Sequence, residues 1–154
     1  MLNIVGIHNL LLTLITEIVF KNCIMYTKCQ RKIILKFINN NEGNLFIDEK
    51  VLNDPLDSQI QIEIDYAGIN RADILQRKGH YPPPKDESEI IGLECSGKVS
   101  KLGKLVKKFS LGDHVCAILA GGGYAEFVNV DEKQVMPLPS NLNSLEAGGL
   151  PETT

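Results

Sequence analysis

The chain has 154 residues, enough for one domain that buries a core without disulfide or metal staples. With 44% hydrophobic residues, 23% charged residues and a formal net charge of −3, its composition is that of an ordinary globular protein, which excludes a fibrous or disordered chain. Acids and bases are interspersed, and no Lys/Arg run is long enough to grip a phosphate backbone, so nucleic acid is not an expected partner.

Residues 1–30 are read as an N-terminal extension of unknown role. Leu10 to Phe20 is almost wholly apolar, but it is shorter than the roughly 18 residues that mark a membrane span, and Glu17 interrupts it. No basic residue precedes Lys21, as the start of a secretory leader requires, and no arginine of a mitochondrial leader precedes Arg31. Met25 is an alternative start. A membrane is therefore not an expected partner, and anchoring through residues 1–24 stays open as the alternative.

From Lys32 the pattern turns to strands. Ile33–Ile38 is a short β-rich run, 39–43 is a turn cluster, and Asn44–Leu52 is a second strand. After the loop Asn53–Ser58, the segment Gln59–Ala67 alternates. Ile60, Ile62, Ile64 and Tyr66 fall on one face, with Gln61, Glu63 and Asp65 on the other, as in a half-buried strand.

Asn70 opens the one clear helix. It is a cap residue, Asp73 lies in the first turn, and Gly79 follows Arg77 and Lys78 as a stop. His80-Tyr81-Pro82-Pro83-Pro84 then forces an extended segment. Ser96–Leu102, Val115–Leu119 and Tyr124–Val130 are further strands, separated by turns at Gly103, Gly112-Asp113 and Gly121-Gly122-Gly123. Asn143 or Ser144 can cap a new helical turn at Leu145–Ala147. Many short strands and one short helix predict a mainly β protein, a barrel or sandwich.

The four cysteines, Cys23, Cys29, Cys95 and Cys116, form no CxxC pair. Free thiols in a reducing compartment are expected, rather than a disulfide framework or zinc knuckle. The triple glycine leads into an alternating strand rather than a helix, so it reads as a turn and not as a phosphate loop. His8, His80 and His114 lack ligand partners at useful spacing.

Several stretches taken together carry a resemblance. They are Ala67–Pro84, Ile91-Gly92-Leu93-Glu94-Cys95-Ser96-Gly97-Lys98-Val99, Leu111–Val115, Gly123–Val128, Leu138-Pro139 and Glu146-Ala147. In order and spacing they resemble the GroES-like domain of zinc-free quinone oxidoreductases of the medium-chain dehydrogenase/reductase superfamily. The proline run and Gln76-Arg77 are most similar to the p53-inducible quinone reductase branch. His114 departs from the Arg usual in the Gly-Asp-x-Val turn. The resemblance implies a partly open β-barrel over residues 31–143, with 144–154 as the start of a connection to a Rossmann domain that the chain does not contain. It further implies hydride transfer from NADPH to a quinone or related enone, a cytoplasmic location, and homo-oligomeric full-length relatives. The chain alone is then expected to be inactive. A non-catalytic GroES-like binding module is the alternative.

The resemblance also bears on metal. Zinc alcohol dehydrogenases have a metal-binding Cys where this chain has Asn70, and Gly-His-Glu where it has Gly92-Leu93-Glu94. An amide and an aliphatic side chain cannot supply the sulfur and imidazole of a tetrahedral site. No metal ligand is therefore expected. Asn70 and Tyr81 are the catalytic candidates by resemblance, and Asn70, Asp73 and Tyr81 the cofactor-binding ones. Asn70 both donates and accepts, while Tyr81 offers a flat ring with a hydroxyl at its tip.

Overall fold

The computed structural model describes residues 34–41 and 44–153. These fall in one compact unit spanning Ile33–Thr154. The extension read over residues 1–30 lies outside the described residues.

The first two strands, β1 (Ile34–Asn41) and β2 (Asn44–Val51), form an antiparallel ribbon. The remaining strands are β3 (Gln59–Tyr66), β4 (Glu94–Leu102), β5 (His114–Ile118), β6 (Phe127–Asp131) and β7 (Val135–Pro137). They form one antiparallel sheet in the order β6-β3-β4-β5-β7. The ribbon joins the sheet ahead of β6. There Phe37 bridges Ala125, Ile38 N–H donates to Tyr124 O at 2.8 Å, and Glu126 N–H donates to Lys36 O at 3.0 Å. The result is the expected mainly β architecture, a curled half-barrel with few helices.

The core lies on one face of this sheet. Ile60 and Ile62 from β3, Val99 from β4, Val115 and Ala117 from β5, and Val128 and Val130 from β6 pack there with Phe109. Each branched side chain removed from water in this way contributes about 1.5–3 kcal/mol. The predicted alternation of β3 holds for Ile60 and Ile62, which are fully buried, but Tyr66 is 46% exposed. The pairing of β3 with β4 slips between Ile64 and Tyr66, and such an irregularity breaks the two-residue phase.

Gln61, expected on a wet face, is fully buried. Its Nε2 donates to Asn129 Oδ1 at 3.1 Å, and Asn129 Nδ2 donates to Asn53 O at 3.0 Å. The loop before β3 thus covers this end of the second face, and the amides satisfy one another there.

The predicted helix is α1 (Arg71–Arg77). It ends as anticipated: Gly79 has φ +72°, and the Gly79 and His80 amides donate to Gln76 O and Leu75 O, both at 2.9 Å. This pair of bonds satisfies carbonyls that the last turn leaves open. Beside this one clear helix, the helical turn expected at Leu145–Ala147 also forms. A 3₁₀ turn at Glu132–Gln134 leads into β7, which sequence reading misses, and a four-residue helix α2 (Ser144–Ala147) is capped by Asn143, whose Oδ1 accepts from Glu146 N–H at 3.0 Å. No helix among the described residues is long and apolar enough to cross a membrane.

Candidate functional site

Beyond the end of β3, Ala67-Gly68-Ile69 carries the chain to Asn70, whose backbone is extended (φ −118°, ψ 164°) as a helix cap requires. Two buried carboxylates hold this residue. Asp73 Oδ2 accepts from the Asn70 backbone N–H, and Glu94 Oε1 accepts from Asn70 Nδ2, both at 2.6 Å. The two bonds fix the main chain and the side chain of Asn70 separately.

Each carboxylate reaches further. Glu94 Oε2 accepts from the Glu152 backbone N–H at 2.9 Å, and Asp73 Oδ2 also accepts from the Tyr124 hydroxyl at 2.9 Å. Glu94 is 1% exposed and Asp73 is 4% exposed. Backbone N–H, amide and phenol donors meet these two buried acids. One atom is left over: Asp73 Oδ1 is buried without a hydrogen-bond partner among the described residues. Such an oxygen costs about 1–3 kcal/mol until a donor reaches it.

Glycines make room for this arrangement. A Cβ on Gly68 would stand 2.0 Å from Glu94 Oε1, in the place the carboxylate needs. Gly92 has φ +104°, and a Cβ there would stand 2.7 Å from Tyr124 N, so both conformation and space require glycine. Gly97 lies inside β4, within the strand expected over Ser96–Leu102, and a Cβ there would stand 2.0 Å from Glu63 O. It permits close strand approach. Burial, followed by the hydrogen bond and charge of Asp73 and then the charge of Glu94, pushes the Tyr124 hydroxyl well above its ordinary range. Tyr124 remains a proton donor to Asp73 throughout the neutral range.

Of the expected site residues, the structure brings Asn70 and Asp73 together. Tyr81 is 48% exposed and lines a groove of about 530 Å³ with Gln76, Gly79, Pro82–Pro84 and Ile91, and Asn70 is not part of that lining. Gln76 links the two regions, since its Oε1 accepts from Gly92 N–H at 3.1 Å, beside Tyr124. The sequence assigns Tyr124 only to a strand and marks Glu94 only as part of the Gly92-Leu93-Glu94 stretch. Neither has a local signal for its contact, because the partners lie 51 and 24 positions away.

Leu93, at the position compared above with a histidine, is buried. Among the described residues no group of three or more His, Cys, Asp or Glu could hold a metal ion. Cys95 pairs with Ala117 and Cys116 with Ser96, so the two thiols point to opposite faces of the sheet. Burial chiefly, with smaller contributions from Cys116 and Glu94, pushes the Cys95 thiol up to about 12.

This half-barrel, with a helix cap held by two buried carboxylates at its rim, belongs to the alcohol dehydrogenase GroES-like domain family, whose pattern residues 56–140 match. Its relatives place it with the quinone oxidoreductases of the medium-chain dehydrogenase superfamily. It is 31% identical, over 71% of its own length and 26% of the relative's, to synaptic vesicle membrane protein VAT-1 homolog-like of Mus musculus. Among solved structures it is similar to CurK enoyl reductase, with TM-score 0.69, 26% identity, and coverage of 77% of this chain and 40% of that one. It is likewise similar to Escherichia coli quinone oxidoreductase complexed with NADPH, with TM-score 0.60, 29% identity, and coverage of 75% and 36%. The chain thus spans between 26% and 40% of the length of these proteins.

Proposed function

We propose that this domain forms the substrate-side wall of a reductase that passes a hydride from NADPH to a quinone or a related enone without zinc. The observation that carries the reading is the Asn70–Glu94 contact at 2.6 Å. Where zinc-dependent relatives need a thiolate and an imidazole, this chain has an amide already engaged by a carboxylate, and a buried leucine. These residues do not fit a tetrahedral zinc site.

They do fit a polar, uncharged nicotinamide head group. Asp73 Oδ1 is a buried acceptor with no donor among the described residues, and Asn70 is an amide held at a helix start. When bound, the cofactor would supply the hydride. The chain's own part is to orient acceptor and cofactor through Asn70 and Asp73, and to offer the exposed Tyr81 ring and the neighbouring proline groove to a flat substrate. The free thiols of Cys95 and Cys116 accord with a reducing, cytoplasmic setting. Similarity to an enoyl reductase keeps enones beside quinones as acceptors.

The test is NADPH oxidation by the product of the complete reading frame, with a quinone and an enone offered in turn, before and after dialysis against a chelator. Turnover that survives chelation is expected, together with none from the 154-residue chain alone. Turnover that vanishes on chelation and returns with zinc overturns the zinc-free reading. Absence of turnover with either acceptor favours a binding module.

A further inference from the structure

We propose that Glu94 is a positioning residue that couples the 150–153 turn to the Asn70 amide, so that the seating of that turn sets the orientation of Asn70. This deepens the proposed function and rests on it only in giving Asn70 a place in the cleft.

The geometry is specific to a carboxylate. One oxygen of Glu94 accepts from Asn70 Nδ2 at 2.6 Å and the other accepts from Glu152 N–H at 2.9 Å. Two donors face two oxygens of the same group. A glutamine at this position accepts on one side only and sets an N–H against a donor on the other. The group is 1% exposed, so water does not replace a lost partner there, and disturbance of one bond is transmitted to the other through a rigid carboxylate plane.

The surroundings leave the carboxylate little freedom. Absence of a side chain at Gly68 makes the space that Oε1 occupies, and a Cβ on Gly149 would sit 4.0 Å from the same oxygen. Two further contacts hold the segment around α2 against β4 and the end of β3. Ser96 Oγ donates to Ser144 O, and a Cβ on Gly148 would stand 2.8 Å from Tyr66 Cβ. Those contacts anchor the segment but do not touch Asn70. Glu94 touches both.

The test is NMR of the 154-residue chain, following the Asn70 side-chain amide and the Glu152 backbone amide, with no turnover required. Glu152→Pro removes the donor and leaves Glu94 intact. The Asn70 side-chain resonances are expected to shift while circular dichroism stays unchanged. Gly68→Ala approaches from the other end by crowding Oε1, and the Glu152 amide is expected to shift in turn, since coupling is reciprocal. Glu94→Gln should move both signals. Asn70 resonances that remain at their original positions in Glu152→Pro overturn the proposal, as does a Glu152 amide unmoved in a folded Gly68→Ala chain. Because the readout is spectroscopic, its failure is distinct from an absence of quinone reduction.

Discussion

Tyr124 and Asp73, 51 positions apart, share one hydrogen bond of 2.9 Å, with the phenol donating to a carboxylate oxygen that also receives the Asn70 backbone N–H. The bond ties the segment next to the β1 ribbon to the first turn of α1. Removing the hydroxyl leaves Asp73 with the Asn70 N–H as its one donor among the described residues. Tyr124→Phe is therefore expected to destabilise the domain by about 1–3 kcal/mol. Urea unfolding should show a lower midpoint at unchanged slope.

Asn70→Asp would set a second carboxylate beside Glu94, at the position where an amide now lies 2.6 Å from Oε1. Two carboxylates at that distance cannot both ionise, so one folded-state pKa rises. A raised carboxyl holds its proton in the folded state after the unfolded chain has lost it. Stability of the variant should thus fall as pH rises from about 4. Urea midpoints measured across the acid range check the sign, and a variant whose midpoint does not fall with pH there would refute it.

Two glycines separate crowding from backbone strain. In Gly97→Ala the new methyl would meet Glu63 O at 2.0 Å and Glu63 C at 2.9 Å. Because these are backbone atoms, β3 and β4 must part, at a cost of about 1–3 kcal/mol or more. Gly112 has φ +86° and nothing within 4 Å of its would-be Cβ, so Gly112→Ala should cost only the left-handed conformation, about 1–2 kcal/mol. Hydrogen exchange distinguishes them. Amides of the β3–β4 ladder should lose protection in Gly97→Ala and keep it in Gly112→Ala.

Alkaline pH has its own limb. Burial pushes the Cys95 thiol from 9.0 up to about 12. Between those values the unfolded chain releases this proton and the folded chain retains it. Stability is therefore expected to decline as pH rises through that interval. Below it, Cys95 should resist alkylation until unfolding, with mass-spectrometric mapping as the measurement.

Legibility in the sequence follows the range of the forces involved. The alternation of 59–67 identifies β3, and Ile60 and Ile62 are buried as it implies, because burial by period two is a local property. The fate of Tyr66 is not local, since it depends on a slip against β4. The start and stop of α1 are readable from Asn70, Asp73 and Gly79, each acting within a few residues. Glu94 and Tyr124 acquire their partners only through the sheet. The three residues of β7, one of them a proline, are too few to show a period. Tyr81 is legible as an exposed ring after the helix, whereas the groove it lines with Gln76 and Ile91 emerges only with the fold.

The pairing of Gln61 with Asn129 also bears on assembly. These residues stand opposite each other in the β3–β6 register and join through their side-chain amides. A slip by one position would set Gln61 against Val128 or Val130, stranding its amide among hydrocarbon. The pair therefore works as a key at the edge of the half-barrel, admitting one alignment of the neighbouring strand and penalising the misthreaded ones.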